Sequence, residues 1–120
     1  MGTAIERFFD AWGMADDAAR ATAIAESFAK GGTYADPRSD GTLSGDAIAT
    51  YVNAFSANAP GWTAKVVKSD EIAGCIRCTV AFGGKGPDGS EMVQHGQYFA
   101  EMDAGHIAKM TGFVGTGAVE

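Results

Sequence analysis

Four side chains in this sequence have the type and spacing to move protons or hold an oxygen atom. Asp36 stands directly before Pro37 and two residues after Tyr34, in Thr33-Tyr34-Ala35-Asp36-Pro37. Residues two apart in an extended chain point the same way, so the phenol and the carboxylate share a face. A carboxylate turned toward an apolar cavity loses hydration, which disfavours its charged form and makes it a better base near neutral pH. An Asp-Pro pair also caps turns, a purely structural duty that the same residues can perform. His95 and Gln97 are likewise two apart, in a stretch rich in strand-forming residues. A neutral imidazole can donate or accept a hydrogen bond, and a glutamine amide donates without carrying charge. Polar strand residues also commonly face solvent or pair across strands.

Other chemistry-bearing patterns are weaker. Cys75 and Cys78 form a C-x-x-C within Ile76-Arg77-Cys78-Thr79-Val80, which reads as a strand. Residues three apart in a strand point to opposite faces. A redox pair needs a helix start to lower a thiol pKa, and zinc needs two further ligands, so half-buried strand cysteines are expected. Gly84 to Gly89 spells G-x-G-x-x-G, yet a strand follows it where a phosphate loop opens a helix. A hairpin loop is expected there. His106 falls in a turn and is expected to be solvated.

These residues must be placed by three helices and a sheet. Apolar residues at helical spacing mark Ile5, Phe8, Phe9 and Trp12; Ala21, Ile24, Ala25 and Phe28; and Ile48, Tyr51, Val52 and Phe55. Thr3 and Glu6 form a capping box before the first helix. Asp16 or Asp17 can cap the second, with Gly31-Gly32 stopping it after Lys30. The third opens after Ser44-Gly45-Asp46 and ends before Pro60-Gly61. From Trp62 the period shortens toward two, predicting strands over 62–72, 75–82, 91–103 and 107–114. Short connections at 73–74, 83–90 and 104–106 make neighbours antiparallel, giving a meander. Residues 33–36 form a short strand to which 41–43 can return. Helices followed by a run of strands predict an α+β domain over residues 1–120.

The formal charge of −6, with nine scattered basic residues, argues against nucleic acid as a partner. No stretch reaches the roughly 20 apolar residues that cross a bilayer, so no membrane partner is expected. Residues 1–10 carry Glu6, Arg7 and Asp10 where a signal peptide would be apolar, and a cytoplasmic protein is the expectation.

The element order, together with Phe8-Phe9-Asp10-Ala11-Trp12, Arg20, Tyr34-Ala35-Asp36-Pro37, Leu43 to Ile48 and Gly96 to Asp103, resembles the nuclear transport factor 2-like superfamily. Its SnoaL-like and ketosteroid isomerase-like branches are the nearest in pattern, and the likeness covers nearly the whole chain. It implies a cone-shaped, curved antiparallel sheet packed on three helices, a pocket between them, and homodimers formed through the sheet. It implies that Asp36 is the general base and that Gln97 takes the place of a protonated Asp that donates to the substrate oxygen. The family's second donor, a Tyr on the first helix, corresponds to Phe8, so Tyr34 or His95 would have to replace it. Phe8, Trp12, Phe28, Val52, Phe55, Met110 and Val114 would line the pocket. Trp62, Tyr98 and Phe113 would lie on the outer sheet face, and Arg20 would tie the second helix to a carboxylate.

Two functions follow from that resemblance. One is cofactor-free acid/base chemistry of isomerase, cyclase or hydrolase type on a small hydrophobic molecule. The other is a non-catalytic ligand-binding or dimeric interaction module, since members of such folds differ widely in function.

Overall fold

The computed structural model describes residues 3–39, 41–59, 61–86 and 88–114, with the side chain of Val114 outside the described set. Three helices, α1 (Ala4–Trp12), α2 (Asp17–Ser27) and α3 (Asp46–Asn58), accompany six strands. The strands are β1 (Phe28–Ala35), β2 (Leu43–Ser44), β3 (Thr63–Ile72), β4 (Cys75–Lys85), β5 (Glu91–Asp103) and β6 (His106–Val114).

Helix starts follow local chemistry. Thr3 and Glu6 close the capping box, with Thr3 N–H donating to Glu6 Oε1 at 3.0 Å and Glu6 N–H to Thr3 Oγ1 at 3.2 Å. Asp16, not Asp17, caps α2 by accepting from the Ala19 N–H at 2.8 Å. The end of α2 departs from expectation. The helix stops at Ser27, and Phe28 turns extended to pair with Ile107 of β6. Gly31 and Gly32 therefore lie inside β1, at an irregularity of register between Phe28 and Thr33. A Cβ on Gly32 would stand 2.6 Å from the Ile107 carbonyl oxygen, so close backbone approach, not helix termination, explains the glycine.

The sheet runs β2-β1-β6-β5-β4-β3 and is open. Strands β3 to β6 form the expected antiparallel meander, with β4 extending three residues further than expected. The exception to antiparallel pairing is β1, which runs parallel to β6. The sheet is thus mixed, because the chain crosses from β1 through α3 and the meander before returning beside it. Two connections are two-residue turns, Ala73-Gly74 and Ala104-Gly105, with both residues of each at positive φ. His106 begins β6 opposite Asp103 instead of occupying the turn. Unpaired residues Val67 in β3 and Ala108 in β6 mark bulges, which bend and twist a sheet.

The core lies between the helices and one face of the sheet. From α1 it takes Ile5, Phe8, Phe9 and Trp12; from α3, Ile48 and Val52; from the sheet, Tyr34, Val80, Tyr98, Ile107 and Met110. Arg20 is fully buried beneath α3. Its Nη1 reaches Asp17 at 2.5 Å and Asn53 Oδ1 at 2.6 Å, and its Nη2 donates to the Met14 carbonyl and to Ser56 Oγ at 2.9 Å. The expected tie to a carboxylate is there, as part of a larger clamp between α2 and α3. Cys75 is exposed and Cys78 buried, as opposite strand faces require. Burial pushes the Cys78 thiol up to about 11. No helix among the described residues is long and apolar enough to cross a membrane.

Candidate functional site

The site begins where β1 ends. Asp36 follows Ala35 directly and its backbone turns at Pro37, so its carboxylate is held by the turn and by the residues facing β1. Oδ1 accepts from the Arg38 N–H at 2.9 Å and the Ser39 N–H at 2.8 Å, which is the turn-capping duty of an Asp-Pro pair. Oδ2 accepts from the Tyr34 hydroxyl at 2.6 Å. The Tyr51 hydroxyl lies 2.8 Å from each oxygen. One carboxylate therefore closes a turn with one edge and gathers phenols with the other.

The Tyr98 ring on β5 stacks on that of Tyr34, with centroids 6.3 Å apart and planes 23° from parallel. Tyr34 and Tyr51 thus converge on Asp36 from β1 and α3. Burial, followed by the neighbouring Tyr98 and Asp36, holds the Tyr34 hydroxyl well above the usual phenol range, and burial followed by the hydrogen bond to Asp36 does so for Tyr51. Burial does the same for Tyr98. All three are neutral donors at physiological pH.

Tyr98 can take this place because its ring lies over Gly112 of β6. A Cβ there would fall 2.3 Å from the ring, so any side chain at 112 would expel it. On the same strand face are Gly96 and Ala100, both buried.

Beside the carboxylate is a cavity of about 210 Å³. Its walls are largely aromatic: Trp12 from α1, Tyr51 and Phe55 from α3, Trp62, Phe82 from β4, and Tyr98. Asp36 is the sole carboxylate among its described lining residues, which also include Pro37, Arg38, Gln94 and His95. The space is smaller than the roughly 300–1,000 Å³ of drug-sized ligand sites, which suits a compact molecule. No group of three or more potential metal-binding side chains occurs among the described residues.

The structure joins two of the four polar residues singled out from the sequence, Tyr34 and Asp36. His95 is exposed at the cavity rim. Gln97 does not reach the cavity. It alternates away from Gly96, Tyr98 and Ala100, and pairs across the sheet with Thr79 and Phe113 on the face opposite the helices. Among the expected apolar lining, Trp12 and Phe55 are wall residues. Phe8, Val52 and Met110 are instead solid core, and Phe28 packs on Phe8 and borders a separate recess beside α2. Val114 closes β6, but its side chain lies outside the described set. Tyr98 is buried on the inner face, and Trp62 also turns to the cavity, its indole Nε1 donating to the Lys85 carbonyl at 3.2 Å. Phe113 is exposed and edge-on to Phe99 at 5.9 Å, and it also borders the cavity.

Sequence reasoning missed Tyr51 and Tyr98. Both carried a signal: a phenol in an apolar stripe still needs a partner for its hydroxyl once buried.

No family model matches the chain, and no curated protein matches it in sequence. Solved structures do match in three dimensions. A SnoaL-like family protein of Agrobacterium tumefaciens, named as a candidate isomerase, superposes with a TM-score of 0.76 at 21% identity, covering 92% of this chain and 93% of that one. A nuclear transport factor 2-like protein of unknown function from an Exiguobacterium species gives 0.73 at 22% identity, over 96% and 100% of the two chains. A candidate SnoaL-like polyketide cyclase from a Jannaschia species gives 0.71 at 16%, over 92% and 82%. The chain has the nuclear transport factor 2-like fold. The SnoaL-like and ketosteroid isomerase-like variants of that fold are the ones its element order resembles, and the likeness at these identities is one of architecture.

Proposed function

We propose that the protein binds a small, largely apolar carbonyl compound in the aromatic cavity and moves a proton on it without a cofactor, with Asp36 as the general base. One observation carries this reading: an aspartate carboxylate opens onto a small cavity whose other walls are mostly aromatic. Oδ2, which faces the phenols, is the oxygen available to a substrate proton, while Oδ1 stays with the turn. Tyr51 and Tyr34 fix the carboxylate and would stabilise its charge between proton transfers. The names of the Agrobacterium and Jannaschia proteins point the same way, toward isomerase or cyclase chemistry.

The test is turnover of a panel of small activated ketones by the wild type and by Asp36→Asn. General-base catalysis contributes about 10²- to 10⁴-fold, so the variant should lose at least about 10²-fold in kcat, with thermal melting used to confirm that it folds. Equal turnover by the two proteins would remove Asp36 from the chemistry.

A second reading is a binding protein without chemistry. It is favoured by the four donors that already occupy the Asp36 oxygens and would have to yield one before a substrate proton is taken. Under that reading no ketone turns over and Asp36→Asn leaves ligand affinity nearly unchanged. In either case we infer a homodimer formed through the outer sheet face, where Phe99 and Phe113 pack edge to face and stay exposed.

A further inference from the structure

We propose that the indole N–H of Trp12 is the donor that grips the oxygen of the ligand, so that the cavity selects carbonyl compounds over hydrocarbons of the same shape. Trp12 lies on α1 in the cavity wall and is 3% exposed. Its Nε1 is buried and finds no acceptor among the described residues. A buried donor left unpaired is costly, and native proteins tolerate few. The other tryptophan of the chain is a control within the same wall, because the Trp62 indole donates to the Lys85 carbonyl.

Polar groups nearby do not answer the Trp12 donor. Both oxygens of Asp36 already receive Tyr34, Tyr51, Arg38 and Ser39. Tyr34 and Tyr51 in turn direct their hydroxyl protons to Asp36, which leaves neither aimed at a ligand oxygen. Arg38, Gln94 and His95 also line the cavity but are exposed. The enclosed donors of the wall are therefore the Tyr98 hydroxyl and the Trp12 indole, and the indole Nε1 is the one that is fully buried with no acceptor among the described residues.

Around it stand the rings of Phe55 at 4.9 Å, Phe82 at 5.4 Å and Tyr51 at 6.3 Å between centroids. In so apolar a setting one hydrogen bond orients a ligand strongly, and an analogue lacking the acceptor is penalised. Nε1 is shielded from solvent, so a ligand oxygen reaches it only as the surrounding wall shifts. A compact aryl or alkyl ketone meets these demands. The proposal rests on the preceding reading for the location of the ligand, but not for any reaction.

The experiment uses ¹⁵N-labelled wild-type protein titrated with acetophenone and, separately, with ethylbenzene, which keeps the ring and the two-carbon chain but lacks the oxygen. Two indole N–H signals are expected, assigned with Trp12→Phe. Acetophenone should move the Trp12 signal downfield and leave that of Trp62 in place, while ethylbenzene should produce no such downfield move. Trp12→Phe should weaken acetophenone about tenfold more than it weakens ethylbenzene, the worth of one good hydrogen bond. An unmoved Trp12 signal with acetophenone bound, equal weakening of both probes, or no acetophenone binding overturns the proposal. The wild-type titration stands even if the variant fails to fold. Loss of turnover in Asp36→Asn is a separate result, so the indole shift can succeed where the catalytic reading fails, and the reverse.

Discussion

At Asp36 two duties that compete on paper are divided between two atoms. Oδ1 satisfies backbone N–H groups of the following turn, and Oδ2 meets the phenols. Tyr34 was legible beside it because a spacing of two in a strand places both on one face. Tyr51 arrives from another element, and only folding brings it near. Buried residues of this kind leave a mark on stability at alkaline pH. The Cys78 thiol has its pKa raised to about 11 by burial. Below pH 9 the thiol is protonated in both states and stability is unaffected. Between pH 9 and 11 the unfolded chain releases the proton and the folded chain keeps it, so stability falls as pH rises, by up to ~1.4 kcal/mol per pH unit. Tyr34, Tyr51 and Tyr98, also raised, act in the same direction from about pH 10 upward. Urea unfolding across pH 8 to 10.5 should show this decline, and Cys78→Ala should remove the part between pH 9 and 10.

Among the elements, α2 owes its place to Arg20 more than to an apolar stripe. The guanidinium is buried and serves acceptors from the α1–α2 connection, α2 itself and α3. A lysine offers one ammonium where these acceptors are spread along a planar fork. Arg20→Lys should therefore cost about 1–3 kcal/mol by leaving partly buried acceptors unpaired. Circular dichroism melting would measure it, with an unchanged midpoint counting against the clamp. The start of α2 was readable because a cap is local chemistry. Its end was not. Gly31-Gly32 has the composition of a helix stop, but pairing of Phe28 with Ile107 converts those residues to strand, a contact across 79 positions of sequence.

For the whole molecule, the outer sheet face remains to be covered. Phe113 is 54% exposed and Phe99 37%, side by side. If this face joins two copies, Phe113→Lys should shift sedimentation toward the monomer with little change in melting of the folded chain. A wild type that sediments as a monomer at all concentrations removes the dimer proposal. Strand parity on β5 shows how legibility and reading can part. His95, Gln97, Glu101 and Asp103 share one face, while Gly96, Tyr98, Ala100 and Met102 share the other. That pattern puts the polar set outside and the buried set, including Tyr98, inside. Gln97 was assigned to the pocket by its place in a family pattern, against the alternation of its own strand.

The amino-acid order alone determined what depends on near neighbours: helix starts set by Thr3 and Glu6 and by an aspartate at 16 or 17, hairpins set by short turns, the α+β class, and the shared face of Tyr34 and Asp36. Tertiary structure alone decided the parallel contact of β1 with β6, the meeting of Tyr51 and Tyr98 around the Asp36 and Tyr34 pair, and the enclosure of the Trp12 indole in the cavity wall. The reason is physical. Capping and alternation act within a few bonds of the chain, whereas each of those meetings depends on residues far apart in sequence that approach only once the core has packed.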